Sequence, residues 1–228
     1  MLQKLFQRIA VEFSFLSKKH KPEYAFNPLI KSIDKKYEDI DVYVEFLDAT
    51  REKINIYTAL NIQFTDGFAF GMKPISLKRK LFHPLAEYQS EGLLKTEILL
   101  FEISYRGFST MTEFHFYEKK LFYIECDLID ISHSERTELL DEIKGFYNVK
   151  FEGIKNPKIT DARGYIISIE NLDKFKIIFA DTGNAFFKEL ENIEVFYNKK
   201  ETSGKVLLDS TSLNNNEEER IEKIKGAL

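Results

Sequence analysis

The chain has 228 residues, of which 43% are hydrophobic and 31% are charged, and it contains 21 Phe, 11 Tyr and no Trp. This composition excludes an intrinsically disordered chain, and no apolar run approaches the ~20 residues that a membrane-spanning helix needs. The net charge of −4 argues against non-specific binding to nucleic acid, so no nucleic-acid partner is expected.

The first part of the chain is predicted to be helical. Apolar residues recur at three- and four-residue steps over residues 2–17, which is typical of a helix that packs against the protein's own sheet. A helix that lies on a membrane surface shows a similar pattern, and we keep it as the less favoured alternative. A second helix is predicted over 27–38, with Asn27 as its N-cap and Pro28 in its first turn.

Strands are predicted to follow. Residues 41–47 and 53–60 are predicted to be strands that form the two arms of a β-hairpin. The dipeptide Asp66-Gly67 signals a turn. Residues 74–93 show helical spacing, but Pro84 would interrupt a helix there, so their structure stays ambiguous.

The second half of the chain has clearer signals. Ser132 and Glu135 form a capping-box pattern that predicts the start of a helix. A further helix is predicted from about residue 184 to residue 197. Strands are predicted around these helices, at 96–105, 110–118, 121–129, 164–169 and 175–180. The order over 96–197 is therefore β-β-β-α-β-β-α, which predicts an α+β fold with helices packed on one face of an antiparallel sheet.

The predicted domain organisation follows from these elements. Residues 1–75 form a region with an N-terminal helix and a β-hairpin, and residues 76–208 form the antiparallel α+β region. One continuous domain over 1–208 is the alternative. Residues 209–228 are polar and are predicted to be a tail with a short helix.

The predicted hairpin that turns at Lys119-Lys120 carries the most chemically active side chains. If its loop spans 119–121, apolar and polar residues separate onto opposite faces, because the side-chain period of a strand is two. This register places His115 opposite Glu125 and Glu113 opposite Asp127. The polar face then holds one imidazole and three carboxylates.

These four residues are the candidate catalytic groups. An imidazole beside carboxylates could bind a divalent metal. A carboxylate with like-charged neighbours could instead serve general acid–base catalysis. The competing interpretation is a plain solvent-facing sheet surface. A metal site needs a further ligand that the sequence does not place, so no metal site and no cofactor are predicted.

No motif in the sequence specifies a reaction. We therefore expect a non-catalytic binding or protein-interaction module whose partner is another protein or a second copy of the chain. The alternative is a metal-assisted or acid–base hydrolase that uses Glu113, His115, Glu125 and Asp127. The basic run Lys78-Arg79-Lys80 is either a solvated helix face or a site for an anionic partner. Because Cys126 is the only cysteine, we expect a reducing, cytoplasmic location.

Overall fold

The structure is a computed structural model that describes residues 28–37, 40–65, 67–90, 94–154, 156–171 and 174–193. The predicted helix over 2–17, the predicted N-cap Asn27 and the predicted tail over 209–228 lie outside the described residues. Within the described ranges, no helix is long and apolar enough to cross a membrane.

Within the described residues, eight strands form one sheet in the order β1-β6-β7-β8-β5-β4-β3-β2. Their bounds are β1 Asn55–Tyr57, β2 Ala86–Gln89, β3 Thr96–Tyr105, β4 Phe108–Tyr117, β5 Lys120–Leu128, β6 Lys158–Thr160, β7 Tyr165–Asn171 and β8 Phe175–Asp181. Neighbouring strands run antiparallel from β6 to β2, whereas β1 runs parallel to β6. The predicted α+β class is therefore confirmed, and the sheet is mixed rather than purely antiparallel.

Helices cover both faces of this sheet. Their bounds are α1 Pro28–Lys36, α2 Asp41–Glu52, α3 Pro74–Leu81, α4 His133–Tyr147 and α5, which begins at residue 185 and is described to residue 193. The core under α1, α2 and α5 contains Phe46 and Phe186, and the core under α3 and α4 contains Leu77 and Leu139. The prediction of helices on one face is wrong, because the strands place apolar side chains on both faces.

The predicted hairpin over 41–60 is also wrong. Residues 41–52 form the helix α2, which buries Tyr43, Phe46, Leu47 and Thr50. The spacing of these four residues is helical, but Val42, Val44 and Phe46 also recur at every second position, so the apolar residues fit both periods. Residues 55–57 form β1, which pairs with the distant strand β6.

The later elements agree more closely with the sequence. The strands β3, β4, β5, β7 and β8 lie where they were predicted. The capping box at α4 is present, since Ser132 Oγ accepts the Glu135 N–H and Glu135 Oε2 accepts the Ser132 N–H. The short strand β6 was not predicted, so the order after α4 has three strands rather than two.

The β4–β5 turn determines which side chains face each other. It consists of Glu118 and Lys119, both with positive φ (+48° and +62°), the backbone that suits a two-residue hairpin turn. A register shift after His115 adds one residue, Phe122, to β5. The three-residue loop and its register are therefore wrong: Glu113 lies opposite Glu125, and His115 lies opposite Tyr123.

Candidate functional site

The polar face of the β4–β5 hairpin lies beneath α1 and α2. Glu113, Glu125 and His115 are 8%, 1% and 0% exposed, whereas the side chain of Asp127 at the rim is 37% exposed. The interpretation of a solvent-facing surface is thus wrong, because residues 41–52 form a helix that covers this face instead of a hairpin arm. We call Lys36, Glu113, His115, Glu125 and Lys176 the charged cluster.

Lysines neutralise the two facing carboxylates. Lys36, at the end of α1, places its Nζ 3.0 Å from Glu113 Oε2 and 2.6 Å from Glu125 Oε1. Lys176 of β8 places its Nζ 2.7 Å from Glu125 Oε1. Buried charges are costly unless they are paired and hydrogen-bonded, and here each carboxylate contacts at least one ammonium group.

Tyrosines complete the hydrogen bonding of the charged cluster. Tyr37 donates to Glu113 Oε2 at 2.5 Å, and Tyr123 donates to Glu125 Oε2 at 3.0 Å. Tyr43 Oη lies 2.7 Å from His115 Nδ1. Because Tyr37 directly follows α1 and Tyr43 belongs to α2, these bonds connect both helices to the sheet.

The cluster alters the ionisation of its members. Burial alone would raise the pKa of Glu113, but the neighbouring His115 and Lys36 lower it to about 2. Burial likewise opposes ionisation of Glu125, yet the ammonium groups of Lys36 and Lys176 hold its pKa below the ordinary value. Burial lowers the pKa of His115, so its imidazole is favoured in the neutral form.

The geometry limits the chemistry that these residues can perform. His115 is fully buried, and its Nε2 lies 3.4 Å from Glu113 Oε2. The described part of the chain has no group of three or more His, Cys, Asp or Glu side chains arranged to hold a metal ion. The positions that a cation would occupy beside Glu113 and Glu125 are taken by lysine ammonium groups.

The first surface feature that the sequence did not reveal is the outer edge of β1. The N–H of Thr58 donates to Thr160 O at 2.9 Å, and hydrogen bonds alternate along a strand, so the backbone groups of Asn55 and Tyr57 point away from β6. Among the described residues, no strand pairs with this edge. Ile54 and Tyr57 are 63% and 75% exposed. We call residues 54–57 the β1 edge.

The second surface feature extends along the exposed side of α3, from the residue before the helix to the residues after it. Ile75 and Phe82 are 55% and 59% exposed, and Leu85 is also exposed. Lys73, directly before α3, and Arg79, within it, are exposed, and no described carboxylate forms an ion pair with either of them. We call these residues the Phe82 surface: Lys73, Ile75, Arg79, Phe82 and Leu85.

The Phe82 surface was predicted only in part, through the basic run Lys78-Arg79-Lys80. Within this run, Lys78 already forms ion pairs with the protein's own carboxylates. Its Nζ lies 2.6 Å from Glu87 Oε2 and 3.7 Å from Glu97 Oε1. The exposure of Phe82 was not foreseeable, since Phe is usually a core residue.

Comparison of the chain with models of known protein families, with curated proteins and with solved structures finds no match.

Proposed function

We propose that the protein is a non-catalytic protein-interaction module that pairs its β1 edge with an extended strand of a partner. The partner is another protein or a second copy of this chain. The observation that carries this proposal is the open edge itself, at which the backbone N–H and C=O groups of Asn55 and Tyr57 point outward.

An open edge is a template for strand addition. Main-chain hydrogen bonds supply affinity in such complexes, and alternating side chains supply specificity. The exposed side chains of Ile54 and Tyr57 provide apolar area beside these hydrogen bonds. Tyr is favoured at protein interfaces because its ring buries apolar surface while its hydroxyl can stay hydrated.

We assign the charged cluster a structural role. A general acid or base must come within hydrogen-bond reach of its substrate, and the imidazole of His115 is fully buried beneath α1 and α2. The contacts of Lys36, Tyr37 and Tyr43 hold both helices on the sheet. This role supports the interaction module over acid–base hydrolysis at the same residues.

The test compares two substitutions at one position. Tyr57→Pro removes the outward N–H and adds a pyrrolidine ring at the edge, but it costs no hydrogen bond to β6, because the N–H of Tyr57 does not point to β6. Tyr57→Ala keeps the N–H and removes only the side chain. Sedimentation velocity measures self-association, and affinity capture identifies any second protein.

We expect an association that Tyr57→Ala weakens and Tyr57→Pro reduces by roughly tenfold or more. Circular dichroism serves as the control that both variants fold. The proposal is wrong if the protein neither self-associates nor captures any partner, or if Tyr57→Pro associates as strongly as Tyr57→Ala.

A further inference from the structure

We propose that the Phe82 surface is a second binding site, which recognises an acidic segment with large apolar side chains in a partner protein. Phe82 lies between α3 and β2, whereas the β1 edge lies at the opposite end of the strand order. The two sites share no residue, so this inference does not depend on the role of the β1 edge.

Exposed apolar side chains define the centre of the Phe82 surface. Ile75 and Arg79 are one helical turn apart on the exposed side of α3, and Phe82 follows the last residue of that helix. Phe82 and Ile75 each leave more than half of their surface in water. Exposed apolar groups beside charged ones mark interaction sites on soluble domains.

The surrounding charges select the partner. Lys73 and Arg79 are exposed and have no described carboxylate partner, while the two nearby carboxylates Glu87 and Glu97 are directed to Lys78. Among the described residues, the Phe82 surface therefore carries two basic side chains that form no ion pair, although the whole chain is acidic. Complementary potentials favour an acidic partner and oppose a basic one.

The backbone at Phe82 supports a functional role for its side chain. Phe82 has φ +64° and ψ −116°, a region that glycine adopts readily and that side chains with a Cβ rarely adopt. A glycine here would relieve strain without removing any buried side chain. An exposed aromatic at a strained position is expected where that side chain contacts a partner.

The test uses a displayed library of random short peptides, selected on the full-length protein. Phe82→Gly removes the aromatic ring and should raise the melting temperature, so loss of binding cannot be assigned to unfolding. Arg79→Glu reverses one exposed charge of the Phe82 surface. Lys150→Glu makes the same charge change at another exposed position and serves as the matched control.

We expect enriched peptides to contain several Asp or Glu together with Phe, Leu or Ile. Phe82→Gly and Arg79→Glu should each weaken their binding on the order of tenfold, whereas Lys150→Glu and Tyr57→Pro should leave it unchanged. High ionic strength should weaken it further.

Three outcomes would overturn the inference. The first is that no peptide is enriched on the wild type relative to Phe82→Gly, and the second is that the enriched peptides are not acidic. The third is that the wild type binds phosphatidylserine vesicles through Phe82 and selects no peptide, since the ligand would then be a membrane. Loss of binding in Tyr57→Pro with binding retained in Phe82→Gly is a case of the first outcome, because the peptide would then occupy the β1 edge.

Discussion

Replacing Glu113 with Gln should destabilise the protein at neutral pH and remove much of its sensitivity to acid. In the folded chain the pKa of Glu113 is lowered from 4.5 to about 2. At about 1.4 kcal/mol for each pKa unit, this lowering corresponds to about 3 kcal/mol of folding free energy. Because the folded pKa lies below the unfolded one, this stability is present above pH 4.5 and is lost as the pH falls towards 2.

The assay is urea denaturation of the wild type and of Glu113→Gln across a pH series from neutral to strongly acidic. We expect the two curves of unfolding free energy to differ by about 3 kcal/mol at neutral pH and to converge at low pH. Glu138→Gln, an exposed position on α4, is the matched control and should follow the wild type. Parallel curves for the wild type and Glu113→Gln would refute the reasoning, because the folded protein would then not favour the ionised carboxylate.

Three further substitutions test the charged cluster and the Phe82 surface by denaturant or thermal unfolding. His115→Gln should make the free energy of unfolding less dependent on pH below pH 6.5, because in the wild type the unfolded chain takes up a proton that buried His115 resists. An unchanged slope of the unfolding free energy against pH would contradict this. Lys36→Met should lower the free energy of unfolding by about 3 kcal/mol at neutral pH, because Glu113 and Glu125 then lose an ammonium partner. Lys35→Met, on the exposed side of α1, should lower it little. Equal losses in the two variants would contradict the pairing. Phe82→Gly should stabilise the fold by about 1 kcal/mol, and a destabilised variant would show that Phe82 is not strained.

The sequence predicted the elements that have a single consistent period or a specific cap. In β5, apolar and polar side chains alternate from Ile124 to Leu128, and Ser132 with Glu135 specifies the start of α4. The strand prediction for 41–47 failed because Val42, Val44 and Phe46 fit a strand period while Tyr43, Phe46 and Leu47 fit a helix period. Only the tertiary position of Tyr43 over the sheet decides between the two periods. The strand β6 was not predicted because its three residues are too few to show a hydrophobic period.

The candidate site was predicted in part. Glu113, His115 and Glu125 do share one face of the sheet, as the alternation of β4 and β5 required. Their surroundings could not be predicted, because Lys36 lies 77 residues from Glu113 along the chain and meets it only through the packing of α1. The register was missed because the extra residue Phe122 is stabilised by its stacking on Phe186 of α5, a contact with no local signal.

Amide hydrogen exchange at β1, followed by NMR in the free protein and in its associated state, tests the proposed interaction most directly. In the free protein we expect fast exchange at Asn55 and Tyr57, whose N–H groups point outward, and slow exchange at Ile56 and Thr58, which bond to β6. Association should protect Asn55 and Tyr57 and leave Ile56 and Thr58 unchanged. Exchange at Tyr57 that stays fast in the associated state would contradict pairing through the β1 edge.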